Sequence, residues 1–181
     1  LNQVDLSKKD LAGASFVGAK LTDTNLRKAN LMRADLSDVD LSGKDLRGTV
    51  LQGAGLSRVN LQGANLQGAN LQGANLHGAN LTSVDLRGKD LSGTNLRGSS
   101  LYGTFLSGAN FSRADLSKLD LSGKDLSGTN LNGTSFKDSK LTAVNLTSAD
   151  LTHANLINAK LDRAIFCNTT MPDSTVNDTG C

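Results

Sequence analysis

The sequence predicts an all-β protein, a parallel β-helix in which short extended segments and turns wind into stacked four-sided coils. The first observation is a strict period, since Leu or Phe occupies every fifth position from Leu1 to Phe166. The second is that long segments recur at one fixed offset, as residues 31–49 do at residues 111–129. The third is that a small residue usually stands two positions before each Leu or Phe.

The period of five excludes the two simplest secondary structures. It matches neither the 3.6-residue period of an amphipathic helix nor the 2-residue period of a plain strand. Units such as Ala64-Asn65-Leu66-Gln67-Gly68 instead fit a short extended piece followed by a turn. Each unit then forms one side of a coil, and no unit is stable without its stacked neighbours.

The Leu or Phe of each unit, here called the centre, is predicted to point into the core. The residue two before the centre points the same way, because side chains alternate along an extended chain. That residue is Ala in many units, among them Ala14, Ala64, Ala109 and Ala159. A large centre beside a small partner predicts a narrow core, with the Asp or Asn before the centre and the two residues after it facing water.

The long offset indicates how many sides close one coil. Residues 31–49 match residues 111–129 at 14 of 19 positions. This offset of eighty equals four turns of a 20-residue coil, whereas eighty is not a multiple of fifteen. Four sides are therefore favoured over three, and about nine coils at a spacing of about 4.8 Å predict a rod about 40 Å long.

The placement of Asp supports stacking. Eleven Asp residues directly precede a centre, and no two of these are separated by twenty positions. Like charges opposite one another across a ladder are unfavourable, and Asn can both donate and accept where Asp only accepts. A separation of fifteen positions also avoids Asp pairs, so this pattern does not choose the coil size.

These residues resemble the pentapeptide repeat family, whose consensus is Ala-Asp/Asn-Leu-X-X. Ala34-Asp35-Leu36-Ser37-Asp38 and Ala69-Asn70-Leu71-Gln72-Gly73 are direct instances, and the match runs from residue 4 to about residue 166. The resemblance implies a right-handed quadrilateral β-helix. The segment Phe166–Asp173 is similar to the ending of cyanobacterial members, some of them exported. Family membership implies no activity, because fold does not determine function.

Composition narrows the classes of function. Nineteen Lys and Arg stand against seventeen acidic residues, all of them Asp, for a net charge of +2. No apolar run has membrane-spanning length, so membrane insertion is not expected. No signal peptide is visible, but the chain starts within the repeat at Leu1, which leaves an upstream segment open.

The sequence predicts no enzyme. His77 and His153 are the only histidines, almost four coils apart, and both occupy surface positions without a partner for general base catalysis. The glycines follow the repeat and form no phosphate-binding motif. No cluster has the spacing of a metal site, so neither a metal nor another cofactor is expected.

Nucleic acid is not the expected partner either. Arg27, Arg47 and Arg87 share one outward column, but Asp residues interleave with them and aromatic residues make up only 3% of the chain. Some members of the resembled family protect topoisomerases by imitating DNA, which is the alternative function considered. Such imitation needs a strongly negative surface, and the slightly basic charge disfavours it.

Tyr102 and Phe105 are the candidate partner contact. Tyr102 directly follows a centre, and Phe105 stands where Asp or Asn is usual. Both are predicted to face outward at one corner, where aromatic residues can anchor a protein partner. The alternative is that single exposed apolar residues are ordinary on protein surfaces.

Four lysines occupy positions predicted to face inward: Lys9, Lys44, Lys89 and Lys124. An uncompensated buried ammonium group is costly. We expect a structural role, in which the aliphatic stem fills the core and the charged head reaches a carboxylate at the corner.

The expected function is therefore that of a non-catalytic protein-interaction or structural scaffold, with a protein partner that the sequence does not identify. Terminal repeats normally need a polar cap, and none is evident near Leu1–Leu11. The expected oligomeric state is a monomer or a weak end-on dimer.

The chain divides into a solenoid over residues 1–166 and a tail over residues 167–181, which we expect to cap the last coil. Met171 and Val176 are predicted to cover Leu161 and Phe166. A disulfide between Cys167 and Cys181 would stabilise the tail by roughly 3 kcal/mol in the chain-entropy model; the alternative is two unrelated thiols in a disordered end. A bridge favours the periplasm or thylakoid lumen over the cytoplasm.

Overall fold

The computed structural model describes residues 3–181, and one local conformation recurs along it. In each unit a β-turn follows the centre, closed by a hydrogen bond such as that from the Ala14 N–H to the Leu11 carbonyl, 3.1 Å. The third residue of the turn has positive φ, as at Gly13 (70°). This is the conformation of a type II turn, which glycine adopts without strain, and it explains the recurrent Gly two residues after the centre.

Between turns, single residues form parallel bridges to the equivalent residue of the next coil. Asn30 pairs with Val50, and Asn110 pairs with Asn130. Four turns therefore separate stacked residues, and the predicted four-sided coil is confirmed. Among the described residues the only continuous strands are β1 (Thr169–Thr170) and β2 (Val176–Asn177), which pair antiparallel.

The chain forms two compact units. The N-terminal unit comprises Leu1–Asp85 with Gly98–Thr104, and the C-terminal unit comprises Leu86–Arg97 with Phe105–Cys181. Across residues 3–181 no helix is long and apolar enough to cross a membrane.

Each of the two compact units has its own core. It is formed by the centres and by the small residues that stand two positions before them. In the N-terminal unit Leu36, Leu56 and Ala34 are fully buried, and in the C-terminal unit Leu126, Phe136 and Val144 are fully buried. The prediction of which residues point inward is confirmed for these coils. Burying one such leucine contributes about 1.5–3 kcal/mol, so the stability of a coil depends on neighbours above and below it.

The Asp or Asn before each centre makes two kinds of hydrogen bond. Its Oδ1 accepts the N–H of the residue two positions later, as from Ser42 to Asp40 at 3.0 Å. An Asn one coil further on donates to the same oxygen, as from Asn60 Nδ2 to Asp40 at 3.0 Å. These bonds lower the pKa of Asp40 below its ordinary value, the Ser42 backbone bond contributing most. The expectation that Asn accommodates Asp across the stacked coils is confirmed for this pair.

Threonine replaces alanine in the core without leaving a hydroxyl unbonded. Thr134 Oγ1 donates to the Phe111 carbonyl at 2.7 Å, and Thr49 Oγ1 donates to the Leu46 carbonyl at 2.8 Å. No buried side-chain nitrogen or oxygen among the described residues lacks a hydrogen-bond partner.

The tail folds back as a hairpin against the last coil. The Phe166 N–H donates to the Thr179 carbonyl at 2.9 Å, and a disulfide joins Cys167 to Cys181, whose Cα atoms are 4.7 Å apart. Met171 is half-buried, but Val176 is 59% exposed. The expectation that Val176 covers the core was wrong, because successive residues of a strand face opposite sides and Asn177 takes the less exposed side of β2.

Candidate interaction surface

Phe105 stands in the C-terminal unit at a position that most often carries Asp or Asn. Its side chain is 56% exposed, and the Arg87 guanidinium lies over the ring, 5.2 Å from the centroid. The Leu86 N–H donates to the Phe105 carbonyl at 3.0 Å, so the ladder fixes the backbone beneath the ring. A cation over an exposed aromatic face contributes about 0.5–1 kcal/mol, which favours one orientation of the two side chains.

The Arg87–Phe105 contact was not predicted from the sequence, although a signal for it exists. The two residues are 18 positions apart, the separation that also joins Asn75 Nδ2 to Ser57 Oγ at 2.9 Å. A residue after one centre therefore reaches the residue before a centre of the following coil. Scanning the sequence for Arg and aromatic residues at this offset identifies the pair.

Tyr102 belongs to the N-terminal unit and is 80% exposed. Its backbone is held by a hydrogen bond from the Ser83 N–H to its carbonyl, 2.9 Å. A rigid backbone with an exposed aromatic side chain suits binding, because such a ring loses little conformational freedom in a complex.

The four predicted inward lysines differ in burial. Lys44, Lys89 and Lys124 are half-buried, and burial lowers the pKa of Lys124. Lys9 is exposed, so the expected core role of its stem was wrong. Its coil has a described neighbour on one side only, which leaves the inward position open to water. The positive charge of Lys44 contributes to the lowered pKa of Asp40, in accord with a head group near a corner carboxylate.

The histidines lie apart from any catalytic arrangement in the described residues. His77 and His153 are both exposed. The His153 backbone N–H donates to the Pro172 carbonyl at 3.1 Å, so the His153 backbone helps to hold the tail against the coil. Residues 3–181 contain no group of three or more His, Cys, Asp or Glu that could hold a metal ion.

Neighbouring carboxylates partly neutralise the outward arginines of the predicted basic column, as Arg47 shows. Arg47 donates twice to the Asp45 carboxylate, at 2.8 and 2.6 Å. These side-chain bonds are the main cause that lowers the pKa of Asp45 to about 2. In the N-terminal unit Arg58 also forms a bidentate pair, with the Asp38 carboxylate, at 2.7 and 2.6 Å. Such pairs reduce the positive potential available to a phosphate backbone.

The fold places this protein in the class of four-sided solenoids that are built from five-residue repeats. Its similarity to known proteins leads to the same class. The pentapeptide repeats family model matches the chain in eight copies, and the matched residues together run from 1 to 179. The chain belongs to the pentapeptide repeat family, whose members fold as right-handed quadrilateral β-helices.

Two solved structures illustrate the similarity. HetL, a pentapeptide repeat protein involved in heterocyst differentiation regulation in the cyanobacterium Nostoc sp. strain PCC 7120, is 30% identical, with 98% of this chain and 93% of HetL covered and a TM-score of 0.56. QnrB1, a plasmid-mediated fluoroquinolone resistance protein, is 20% identical, with 88% and 82% covered and a TM-score of 0.66. The likeness to QnrB1 concerns the fold alone. No curated protein matches the chain.

Proposed function

We propose that this chain is a non-catalytic interaction scaffold and that Phe105, with Arg87 beside it, contacts a protein partner. The observation that carries the proposal is an aromatic side chain, 56% exposed, at a site where the repeat most often uses Asp or Asn and nowhere else an aromatic residue. Phe and Arg are residue types enriched where protein surfaces bind one another. Tyr102 is a second proposed contact, tested separately from Phe105.

The chemistry of the pair indicates what the partner should offer. The exposed part of the Phe105 ring suits an apolar or aromatic side chain. The Arg87 guanidinium lies over that ring and holds it in place. A partner surface with an exposed apolar or aromatic residue is therefore expected.

The test replaces the ring by the residue that the repeat uses. Phe105→Asn should fold normally, because Asn occupies this column at Asn145 and pairs there with Asp125 at 3.1 Å. Tagged wild-type protein should retain a partner from the source cells that the Phe105→Asn variant loses. Val17→Ser is the matched control, since Val17 is 58% exposed in the N-terminal unit. An interaction that survives Phe105→Asn and Tyr102→Ser but not Val17→Ser would contradict the proposal.

Imitation of DNA towards a topoisomerase is the alternative, and the ion pairs argue against it. Arg47, Arg58 and Lys140 neutralise Asp45, Asp38 and Asp120, respectively. A DNA-like surface needs uncompensated negative charge. We expect that excess protein leaves the supercoiling activity of a topoisomerase unchanged.

The tail and the disulfide support two further parts of this proposal. We propose that residues 167–181 cap the last coil at Phe166, whose N–H donates to the Thr179 carbonyl, and that residues 155–163 stay outside this cap. We also propose an oxidising compartment, the periplasm or thylakoid lumen, because a disulfide persists there. Titration of the unfolded, unreduced protein should find no free thiol; two free thiols would contradict the compartment.

The proposed oligomeric state is a monomer or a weak end-on dimer. Leu6 and Leu11 are half-buried and Val4 is exposed, so the first described coil offers some apolar surface. Leu1 lies outside the described residues. Sedimentation over a range of concentrations measures the association.

A further inference from the structure

The last coil of the C-terminal unit has an unbonded stretch of backbone. One coil earlier, four N–H groups donate to carbonyls of the last coil at 2.7 to 2.9 Å: Phe136 to Asn155, Asp138 to Ile157, Leu141 to Lys160, and Ala143 to Asp162. The equivalent N–H groups of the last coil itself belong to Leu156, Asn158, Leu161 and Arg163. Within residues 3–181 none of these four donates to an acceptor. We call residues 155–163 the terminal edge.

The tail does not cover the terminal edge. Its backbone hydrogen bonds to the coils go to residues 148–153 and to Phe166, which lie outside residues 155–163. Leu156 and Leu161 stay half-buried, whereas Phe136 and Leu141 beneath them are buried, and Ile157 is 58% exposed. The terminal edge therefore combines parallel donors with incompletely covered apolar side chains, which is what an added strand covers.

A column of charge indicates what kind of strand belongs there. Lys140 Nζ binds Asp120 Oδ2 at 3.2 Å, and Lys160 pairs through its backbone with Lys140 in the next coil. Like charges opposite one another are unfavourable, and elsewhere the chain avoids stacked Asp before the centres. Lys160 is exposed and makes no ion pair within the described residues. A carboxylate beyond Lys160 would relieve this repulsion.

We propose that the terminal edge binds an extended segment of a partner protein in which Asp or Glu directly precedes a large apolar residue. Backbone carbonyls of the segment accept from Leu161 and its neighbours, the apolar side chain covers Leu161, and the carboxylate meets Lys160. This surface is separate from Phe105 and goes beyond the proposed function.

A peptide with the sequence of residues 117–123, Ser-Lys-Leu-Asp-Leu-Ser-Gly, tests the proposal, because its Asp120-Leu121 pair has the required order. Fluorescence anisotropy of the labelled peptide should show saturable binding to the wild-type protein. The same peptide with Asp120→Lys should bind at least about tenfold more weakly. The Lys160→Glu variant, altered at an exposed position, should reverse this preference, and its circular dichroism should match the wild type.

Two controls separate the terminal edge from the Phe105 surface and from self-association. Phe105→Asn should bind the peptide that contains Asp120 as the wild type does, whether or not the proposed function holds. Absence of saturable binding, or equal binding of the two peptides, would overturn the proposal. Self-association in sedimentation velocity that Lys160→Glu abolishes would overturn it in favour of a second copy at the terminal edge.

Discussion

Two successive coils of the C-terminal unit, residues 131–150 and residues 151–170, share one repeat but differ in how their centres are covered. Leu131, Leu141 and Leu146 are at most 1% exposed, whereas in the second coil only Leu151 is fully buried and Leu156, Leu161 and Phe166 are half-buried. The local sequence is the same in kind, so the difference arises from having coils on both sides or on one side only. The burial of a centre in this fold is therefore determined by the coils stacked on it more than by the sequence of its own five-residue repeat.

The largest expected effect separates an inner centre from a terminal one. Leu131→Ala should lower the free energy of unfolding by about 2–5 kcal/mol, because it leaves a cavity that both neighbouring coils enclose. Leu161→Ala should cost less, about 1 kcal/mol, since its surroundings are already open to water. Urea denaturation followed by circular dichroism measures both variants. Equal losses would show that the terminal coil is as well packed as the inner one.

The disulfide should have the next largest effect. Cys181→Ser removes a cross-link between residues separated by 14 positions, which is worth roughly 3 kcal/mol in the chain-entropy model. The loss should fall on the tail, so amides of residues 166–179 should exchange faster while those of residues 131–150 change little. Reduction of the wild-type protein is the control and should reproduce the variant. Uniformly faster exchange in both coils would instead show that the tail stabilises the whole unit.

A buried hydroxyl gives a smaller effect that tests the inner coils. Thr134→Val removes the donor to the Phe111 carbonyl while keeping the side-chain volume. We expect a loss of about 1 kcal/mol in the free energy of unfolding. Thr142→Val, at a half-buried outward position, is the comparison and should change stability by less than about 0.5 kcal/mol. A neutral Thr134→Val would show that the carbonyl keeps another donor.

The smallest effect concerns pH and the Asp45–Arg47 pair of the N-terminal unit. The pKa of Asp45 is lowered to about 2 in the folded protein, mainly by the Arg47 side-chain bonds. A lowered folded pKa stabilises the fold above the ordinary value of 3.8, and the stabilisation is lost as pH falls from there towards about 2. The carboxyl is 42% exposed, so solvent screening keeps the effect small. Asp45→Asn should flatten the dependence of the urea midpoint on pH in this window, and an unchanged slope would contradict the assignment.

The sequence was sufficient to predict the inner coils and insufficient for the ends. A five-residue period with Ala34 before Leu36 fixes which side chains point inward, because each such unit meets the same neighbours. Lys9 and Val176 were misassigned for a physical reason: the period assumes a neighbour that the terminal coil and the hairpin do not have. The contact of Arg87 with Phe105 depends on side-chain rotamers across coils, which the period does not encode. The unbonded N–H groups of the terminal edge could not be predicted from the period, because they depend on the path that the tail takes.

Hydrogen exchange of equivalent amides in the two coils tests the central claim most directly. In the inner coil the N–H groups of Phe136, Asp138, Leu141 and Ala143 donate to carbonyls; within the described residues those of Leu156, Asn158, Leu161 and Arg163 do not. If stacking on both sides determines protection, nuclear magnetic resonance should show slow exchange for the first four amides and fast exchange for the second four. Equal protection of the two sets would contradict the account, because it would mean that the terminal edge is already paired.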